Sequence, residues 1–176
     1  SGDFTVTGWV QKLSPISGWK GGFISKWNSG ASRGTNEWAL GINKTKNSGI
    51  PNFSAEIGNS GNGVSGQSVL DLNKWVQLAG VRDGQDLRLY LDGLLIGEET
   101  GVAAGAVNNT GRNLFFGRYR DQNPIYSHIS IDEIRIYDRA LSTEEVTGLY
   151  SLEKAGNSSG TGVIITEGVG EKIWES

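Results

Sequence analysis

One segment constrains the fold more than any other, "KWVQLAGVRDGQDLRLYLDGLLIGEET" at residues 74–100. Its apolar residues recur at every second position, as in Val76 and Leu78 and again in Leu87 and Leu89, which is typical of strands with one buried face. "RDGQD" turns the chain, and Asp92-Gly93 predicts a two-residue hairpin loop, because both central positions of such a loop need a positive φ. The segment therefore predicts three antiparallel strands in a meander.

Further short alternating runs predict an all-β chain. They are "FTVTGWV", "GGFISKW", "NEWALGI", "PNFSAEIG", "NLFFGRY" and "HISIDEIRIY". In the first run, Phe4, Val6, Gly8 and Val10 share one face. A polar, Gly-rich stretch, "NSGNGVSGQSV", separates the early strands from the meander. At least eight strands with long polar loops favour a two-sheet antiparallel sandwich of the jelly-roll type.

The end of the chain has a different pattern. One short helix is predicted near 142–150, where Ser142 and Glu145 form a capping box and Leu141 can pack on Val146. We assign residues 1–150 to the sandwich, 151–162 to a Gly/Ser-rich linker and 163–176 to a C-terminal strand that could complete the sandwich. The chain starts with Ser-Gly and has no Met, so we expect it to be a piece of a longer protein.

Composition excludes several classes of site. The chain has no Cys, which excludes disulfides, Fe–S clusters and Cys-based zinc sites. Its one histidine, His128, excludes a multi-histidine metal centre, and we interpret it as a packed or surface residue. The net charge of −3 and the absence of a basic run argue against nucleic acid as a partner. No apolar stretch is long enough to insert into a membrane.

Two adjacent acids interrupt the strand pattern of "HISIDEIRIY". Ile129 and Ile131 are odd-numbered, whereas Ile134 and Ile136 are even-numbered, so the inward face changes phase between them. A β-bulge produces such a change, since two residues there oppose one on the partner strand. We expect either Asp132 or Glu133 to point toward the interior or a sheet end, where a carboxylate is costly unless it is paired or bound to a metal.

Three uses of that acid remain open. It could accept backbone N–H bonds from a neighbouring loop, it could ligate Ca²⁺ together with loop carbonyls, or it could be catalytic. A glycoside hydrolase needs two carboxylates projecting from one face. The same-face neighbours of Asp132 are Ser130 and Ile134, neither of them acidic, so the pattern shows no catalytic pair.

Several of these motifs together resemble a known family. "NKWVQLAGVRDGQDLRLYLDGLLIG", "NLFFGRY" and "SIDEIRIYDRALSTEEVTGLY" are similar in order and type to the bacterial laminin-G-like, concanavalin A-like jelly-roll domains. The resemblance covers roughly Asp3 to Tyr150. It implies a mostly non-catalytic module of a larger secreted or cell-surface protein, often one that binds carbohydrate, and it makes Asp132 the candidate ligand of a structural Ca²⁺.

The chain departs from the family pattern in two places. Ile129 stands where the family often has Gly, and the strand that the family usually has before "FTV" is missing. Residues 163–176 could take the place of that strand beside the final one. Alternatively, they belong to an adjoining domain or swap into another copy.

Sugar recognition needs exposed flat aromatic rings flanked by planar polar side chains. The candidates lie in loops or at strand ends. They are Trp19, Trp27, Trp38, Arg118, Tyr119, Arg120, Asp121 and Tyr126. Trp9 and Trp75 lie inside alternating strands, and we interpret them as core or sheet-face residues. The simpler alternative is that the candidate aromatics cover loop bases and the charges are solvated.

Our leading hypothesis is a non-catalytic, lectin-like module that binds a polysaccharide or glycan. A second hypothesis is a structural or adhesive spacer that contacts other proteins, and clustered exposed Trp and Tyr would favour the first over the second. A third, a glycan-cleaving enzyme, would require two facing carboxylates in a groove.

Overall fold

The computed structural model describes residues 2–16, 21–27, 36–42, 48–118 and 126–158, with the side chains of 156–158 left aside. The described part contains ten strands and one helix. Numbered in chain order, they are β1 (Phe4–Lys12), β2 (Gly22–Ser25), β3 (Trp38–Gly41), β4 (Asn52–Ile57), β5 (Ser60–Ser65), β6 (Trp75–Asp83), β7 (Asp86–Leu91), β8 (Leu94–Glu99), β9 (Phe115–Phe116), β10 (Ile129–Tyr137) and α1 (Thr143–Ser158).

The strands form two five-stranded antiparallel sheets. The first sheet has the order β10-β1-β6-β7-β8, and the second has the order β5-β4-β3-β2-β9. The inner faces meet in one core that includes Phe23, Leu40, Phe53, Leu78 and Leu89, all fully buried. The predicted two-sheet sandwich is confirmed.

The faces predicted for β1 are confirmed as well. Val6 and Val10 lie in the core between the sheets, whereas Trp9 lies on the outer face and stacks on Tyr150 of α1. Directly beside β1, Gly80 of β6 leaves room for a core ring, because a Cβ there would come within 2.4 Å of Phe53. The ring therefore packs against the backbone of the sheet.

The hairpin between β7 and β8 has the predicted turn. Leu91 pairs with Leu94, and the two residues between them, Asp92 and Gly93, have φ values of 51° and 76°. Both lie in the left-handed region that a two-residue hairpin loop requires.

The polar stretch before the meander contains an unpredicted strand, β5. It lies at the edge of the second sheet and pairs along its whole length with β4. Only Val64 of its six residues is buried. The strand has no apolar alternation because an edge strand with mostly exposed residues does not need one, and the sequence pattern therefore missed it.

The capping box of α1 is confirmed. The backbone N–H of Glu145 donates to Ser142 Oγ at 3.2 Å, and the N–H of Ser142 donates to Glu145 Oε2 at 2.8 Å. Leu141 and Val146 are buried together with Ala79, Val81 and Tyr90 on the outer face of the first sheet. The helix thus covers part of that face.

The helix is longer than predicted, since it continues to Ser158. Residues 151–158 are therefore helical, which corrects the predicted linker over that part. Glu153 explains the extension, because its buried carboxylate is held by side chains of the first sheet. The rest of the predicted linker and the predicted strand at 163–176 lie outside the described residues.

The predicted bulge in β10 is present. Thr7 pairs with Arg135 and Trp9 pairs with Asp132, so Glu133 and Ile134 both face Gly8. Glu133 has a φ of 48°, a conformation that L-residues other than Asn and Asp seldom adopt. The bulge lets Ile131 and Ile134 both pack on the core.

Neither acid of the bulge points into the interior, which is one of the two directions expected from the sequence. Asp132 is exposed, and the side chain of Glu133 is 37% exposed and pairs with Arg135 at 2.8 Å. Both acids avoid the interior because the extra residue takes up the phase change.

The one helix of the described chain, α1, is too short and too polar to cross a membrane.

Candidate functional site

Half of the predicted ligand residues can be located. Trp19, Tyr119, Arg120 and Asp121 lie outside the described residues. Trp27 is half-buried just after β2. Trp38 is only 8% exposed and packs in the core against Phe4, with ring centroids 5.6 Å apart. This placement contradicts the expectation that Trp38 offers an exposed platform.

Arg118 and Tyr126, two predicted ligand residues on either side of one loop, lie next to each other in the structure. They form an isolated antiparallel bridge. The Arg118 guanidinium lies 4.2 Å from the Phe115 ring centroid and 6.0 Å from that of Tyr126, a cation–π arrangement. Tyr126 is 65% exposed. We call Phe115, Arg118 and Tyr126 the Arg118 rim; it lies at the edge of the second sheet.

The calcium expectation for Asp132 concerns a site completed by loop carbonyls. No group of three Asp, Glu or His side chains that could hold a metal occurs among the described residues. One oxygen of Asp132 already accepts the backbone N–H of Glu133 at 2.8 Å. Ca²⁺ takes six to eight oxygen ligands, backbone carbonyls and waters among them, so the lack of such a side-chain group does not decide the calcium site, which stays a prediction.

A groove beside the helix unites aromatic and charged side chains that the sequence did not connect. Its volume is about 590 Å³. We call it the helix-side groove, and its lining residues are Trp9, Lys74, Trp75, Asp92, Asp132, Tyr150 and Lys154.

The fold explains how these side chains meet. Trp75 begins β6 and has the same parity as Gln77 and Ala79, so it projects from the outer face of the first sheet. Tyr150 and Lys154 are four residues apart on α1 and therefore face the same side. The Tyr150 ring stacks on Trp9 with centroids 5.8 Å apart. The outer face of the sheet forms the floor of the groove and the helix forms one wall.

A buried carboxylate fixes the helix wall in place. Glu153 Oε2 accepts hydrogen bonds from Trp9 Nε1 at 2.7 Å and from Gln77 Nε2 at 2.6 Å. Its other oxygen pairs with the Arg135 guanidinium, which also binds Glu133. Removing one partner of a buried ion pair leaves the other uncompensated, so these contacts anchor the helix wall to the first sheet.

The two acids of the groove are oriented by the backbone. Asp92 Oδ1 accepts the N–H of Gln77 at 2.9 Å, and Asp132 Oδ1 accepts that of Glu133. Within the described ranges, the second oxygen of each has no hydrogen-bond partner in the protein. Each acid can therefore accept a hydrogen bond from a ligand.

Trp75 is the residue that sequence reasoning missed. It is 40% exposed and presents an aromatic ring next to Lys74 and Asp92 in the groove. The available signal was its parity with Gln77, a polar outward position. The pattern could not show that Trp75 stays partly exposed while α1 buries Trp9.

The comparisons with known proteins begin with a family model. The model described as the concanavalin A-like lectin/glucanases superfamily, of laminin G type, matches residues 1–147. A search of the curated proteins finds no match.

Solved structures share the fold at low sequence identity. The CBM40 domain of the Ruminococcus gnavus IT-sialidase has a TM-score of 0.67 at 15% identity, over 84% of this chain and 82% of that one. Domain 4 of AbnA, a GH43 extracellular arabinanase of Geobacillus stearothermophilus in complex with arabinotriose, has a TM-score of 0.62 at 18% identity, over 85% and 67%.

A third structure extends the likeness to an animal protein. The heptameric SAP-like pentraxin of Limulus polyphemus has a TM-score of 0.62 at 16% identity, over 85% of this chain and 70% of that one. These identities show a common fold and no more. The family model covers most of the sequence, and the chain therefore belongs to the concanavalin A-like lectin/glucanase superfamily.

Proposed function

We propose that this chain is a non-catalytic carbohydrate-binding domain of a secreted or surface protein, and that it binds glycan in the helix-side groove. The observation that carries the proposal is the 40% exposed Trp75 ring in a groove that also contains oriented carboxylates. An aromatic face stacks on the apolar face of a sugar ring, and the acids beside it accept hydroxyl protons.

The backbone holds the two acids of the groove as fixed hydrogen-bond acceptors at separate strands. Asp92 is level with Gln77 of β6, Gln77 pairs with Trp9 of β1, and Trp9 pairs with Asp132 of β10. Asp92 and Asp132 therefore lie three strand spacings apart, about 14 Å between their backbones. Asp92 Oδ1 accepts the N–H of Gln77, and Asp132 Oδ1 accepts that of Glu133, so each carboxylate is held in place for a sugar hydroxyl.

Two of the structural neighbours agree with this proposal. The R. gnavus protein is a carbohydrate-binding module of a sialidase, and the arabinanase domain was solved with arabinotriose. Both are parts of larger glycan-directed enzymes. Because the likeness extends to the fold alone, these ligands guide the choice of probes and nothing further.

The alternative is a structural or adhesive spacer. A row of small residues crosses the outer face of the second sheet, since Ser25 pairs with Ala39, Ala39 with Ser54 and Ser54 with Gly63. That row has no aromatic ring to stack on a sugar. Ser25 and Ala39 in this row are buried, so only its end at Ser54 and Gly63 is accessible to another protein.

A glycan array probed in calcium and again in EDTA tests the function. We expect binding to at least one oligosaccharide class. Absence of binding in both buffers would refute the carbohydrate proposal and leave the spacer. A melting temperature unchanged by EDTA would count against a structural Ca²⁺.

Calorimetric titration of the bound oligosaccharide into two variants then locates the site. Trp75→Ala should weaken binding about tenfold or more, because it removes the stacking ring. Tyr126→Ala, the matched control at the Arg118 rim, should leave the affinity unchanged. The opposite result would keep the function and move the site to the rim.

A further inference from the structure

One row of outward side chains beside the helix-side groove carries an inference about the ligand, which rests on the proposed function. In this row, Gln11 of β1 pairs with Ser130 of β10 and with Trp75 of β6. The three residues project from the outer face of the first sheet, because Val10 and Val76 next to them lie in the core. None of the three is buried, so a ligand can reach them.

The neighbouring row differs because α1 covers it. Trp9 and Gln77 are only 7% and 1% exposed, and both donate hydrogen bonds to Glu153 of the helix. The row of Gln11 is therefore the first outward row along β1 and β6 that a ligand can contact.

The carboxamide of Gln11 is held on the Trp75 side of this row. Residues directly opposite each other on antiparallel strands have Cβ atoms about 4.5–5.5 Å apart, so the two side chains are neighbours. Gln11 Nε2 donates to the carbonyl oxygen of Asn73 at 3.0 Å, and the N–H of Asn73 donates to the carbonyl oxygen of Lys12 at 2.8 Å. These bonds hold the amide at the start of β6, next to Trp75.

The amide keeps hydrogen-bonding capacity for a ligand. A glutamine amide has two N–H donors and one acceptor oxygen, and in the described part of the chain Gln11 uses one N–H only. The side chain can therefore donate one hydrogen bond and accept another at the same time. Two hydroxyls on adjacent carbons of a sugar ring match this pair, because one accepts from the N–H while the other donates to the oxygen. A lone hydroxyl uses only half of it.

We infer that Gln11 and Trp75 together bind one sugar unit that has two free hydroxyls on adjacent carbons. The apolar face of the sugar ring stacks on the Trp75 indole, and the two hydroxyls at its edge bond to the Gln11 carboxamide. Inner units of 1,4-linked glucans and of 1,5-linked arabinans offer such a pair at carbons 2 and 3. Substitution of either hydroxyl removes the match.

NMR titration with cellotriose and arabinotriose, each compared with a counterpart methylated at every 2- and 3-hydroxyl, tests the inference. The methylated sugars have no two adjacent free hydroxyls. For the trisaccharide that binds, we expect the free form to bind about tenfold or more tighter than the methylated form, because methylation removes both hydrogen bonds to Gln11. The side-chain NH₂ signals of Gln11 should shift more strongly with the free form.

A double-mutant cycle between the protein and the sugar separates hydrogen bonding from a structural role of Gln11. Gln11→Ala should lose the preference and bind both forms with the affinity that the wild type has for the methylated one. Gln85→Ala is the matched control, because the Gln85 amide also donates to a backbone carbonyl, that of Val102, at 3.0 Å. This control should keep the preference.

Two results would overturn the inference and leave the function standing. One is a wild type that binds both forms equally well. The other is a preference that persists in Gln11→Ala, including the case in which both forms lose affinity to the same extent. Absence of wild-type binding to both free trisaccharides also overturns the inference, and the glycan array then decides the function.

Discussion

The outer faces of the two sheets differ in what they carry. On the first sheet the outward positions of β1, β6 and β7 include Trp9, Gln77, Ala79 and Tyr90, and α1 covers most of them. On the second sheet the corresponding positions are small, as in Ser25, Ala39, Ser54 and Gly63. Inward and outward positions alternate in the same way in both sheets, so the two outer faces differ in the size of their outward side chains.

The difference shows how a binding groove can form in a sandwich. Large outward residues need a cover, and the helix supplies one as far as Tyr150 and Glu153. Where the cover ends, Trp75 stays partly exposed, and a groove remains between it and the helix. The row of small residues on the second sheet leaves no aromatic ring at a boundary, and Ser25 and Ala39 within it are themselves buried.

The largest expected effect concerns the attachment of the helix to the first sheet. Glu153→Ala should lower the free energy of unfolding by about 3–5 kcal/mol, because it leaves the Arg135 charge without its partner. Denaturant unfolding measures this loss. Glu153→Gln is the matched control and should cost less, since its amide oxygen can still accept from Trp9 and Gln77. Equal stability of Glu153→Ala and wild type would show that the helix is not held by this contact.

A buried acid at the second sheet should give a smaller, pH-dependent effect. Burial raises the pKa of Glu37, but the Lys26 ammonium at 2.6 Å and the N–H groups of Arg112 and Thr110 lower it more. The net pKa lies below the ordinary 4.5. A carboxyl with a lowered folded-state pKa contributes stability that is complete above its ordinary pKa and is lost as the pH falls through the folded value.

Glu37→Gln should therefore cost about 1.5–3 kcal/mol at neutral pH, the range for hydrogen bonds to a charged group. The gap between variant and wild type should shrink as the pH is lowered below 4.5. Urea unfolding at a series of pH values measures it. A gap that is independent of pH would mean that the carboxylate charge does not matter.

Truncation after Ser158 tests whether residues 163–176 complete the first sheet. In the described part, β10 is an edge strand and its Ile136 is 48% exposed. If the tail covers that side chain, removing it should cost about 1 kcal/mol, roughly half the value of burying an isoleucine. This cut spares Glu153, so it does not disturb the helix. An unchanged melting temperature would refute the strand-replacement hypothesis.

The smallest effect is expected at the bulge. Glu133 has a left-handed conformation, which costs an ordinary L-residue about 1 kcal/mol or more. Glu133→Gly should relieve that cost but lose the half-exposed ion pair with Arg135, worth less than about 1 kcal/mol. We expect a net change of a few tenths of a kcal/mol, whereas Glu133→Val should be destabilising by about 1 kcal/mol. If both variants were equally stable, the strain assigned to the bulge would be wrong.

The sequence predicts those features that depend on local pattern. The alternation of apolar residues predicted the faces of β1 and the meander. Asp92-Gly93 predicted the hairpin, and the phase change between Ile131 and Ile134 predicted the bulge. Ser142 and Glu145 predicted where α1 starts. Each of these is decided by neighbours along the chain.

The remaining features depend on contacts between distant residues. Periodicity places Trp38 in a strand but cannot show that Phe4 covers it. It places Trp75 on the outer face but cannot show that the ring stays partly exposed beside α1. The carboxylate of Glu153 accepts a hydrogen bond from Trp9, which lies 144 residues earlier in the sequence. The extension of the helix and the groove beside it therefore depend on tertiary packing.

The central claim is that the helix-side groove, and not the Arg118 rim, contacts the glycan. ¹H–¹⁵N NMR spectra recorded during titration with an oligosaccharide that binds on the array test it most directly. We predict that the Trp75 indole and the amides of Tyr150 and Lys154 shift progressively, while the amides of Arg118 and Tyr126 stay in place. Shifts centred on Arg118 and Tyr126, with the Trp75 indole unmoved, would contradict the account.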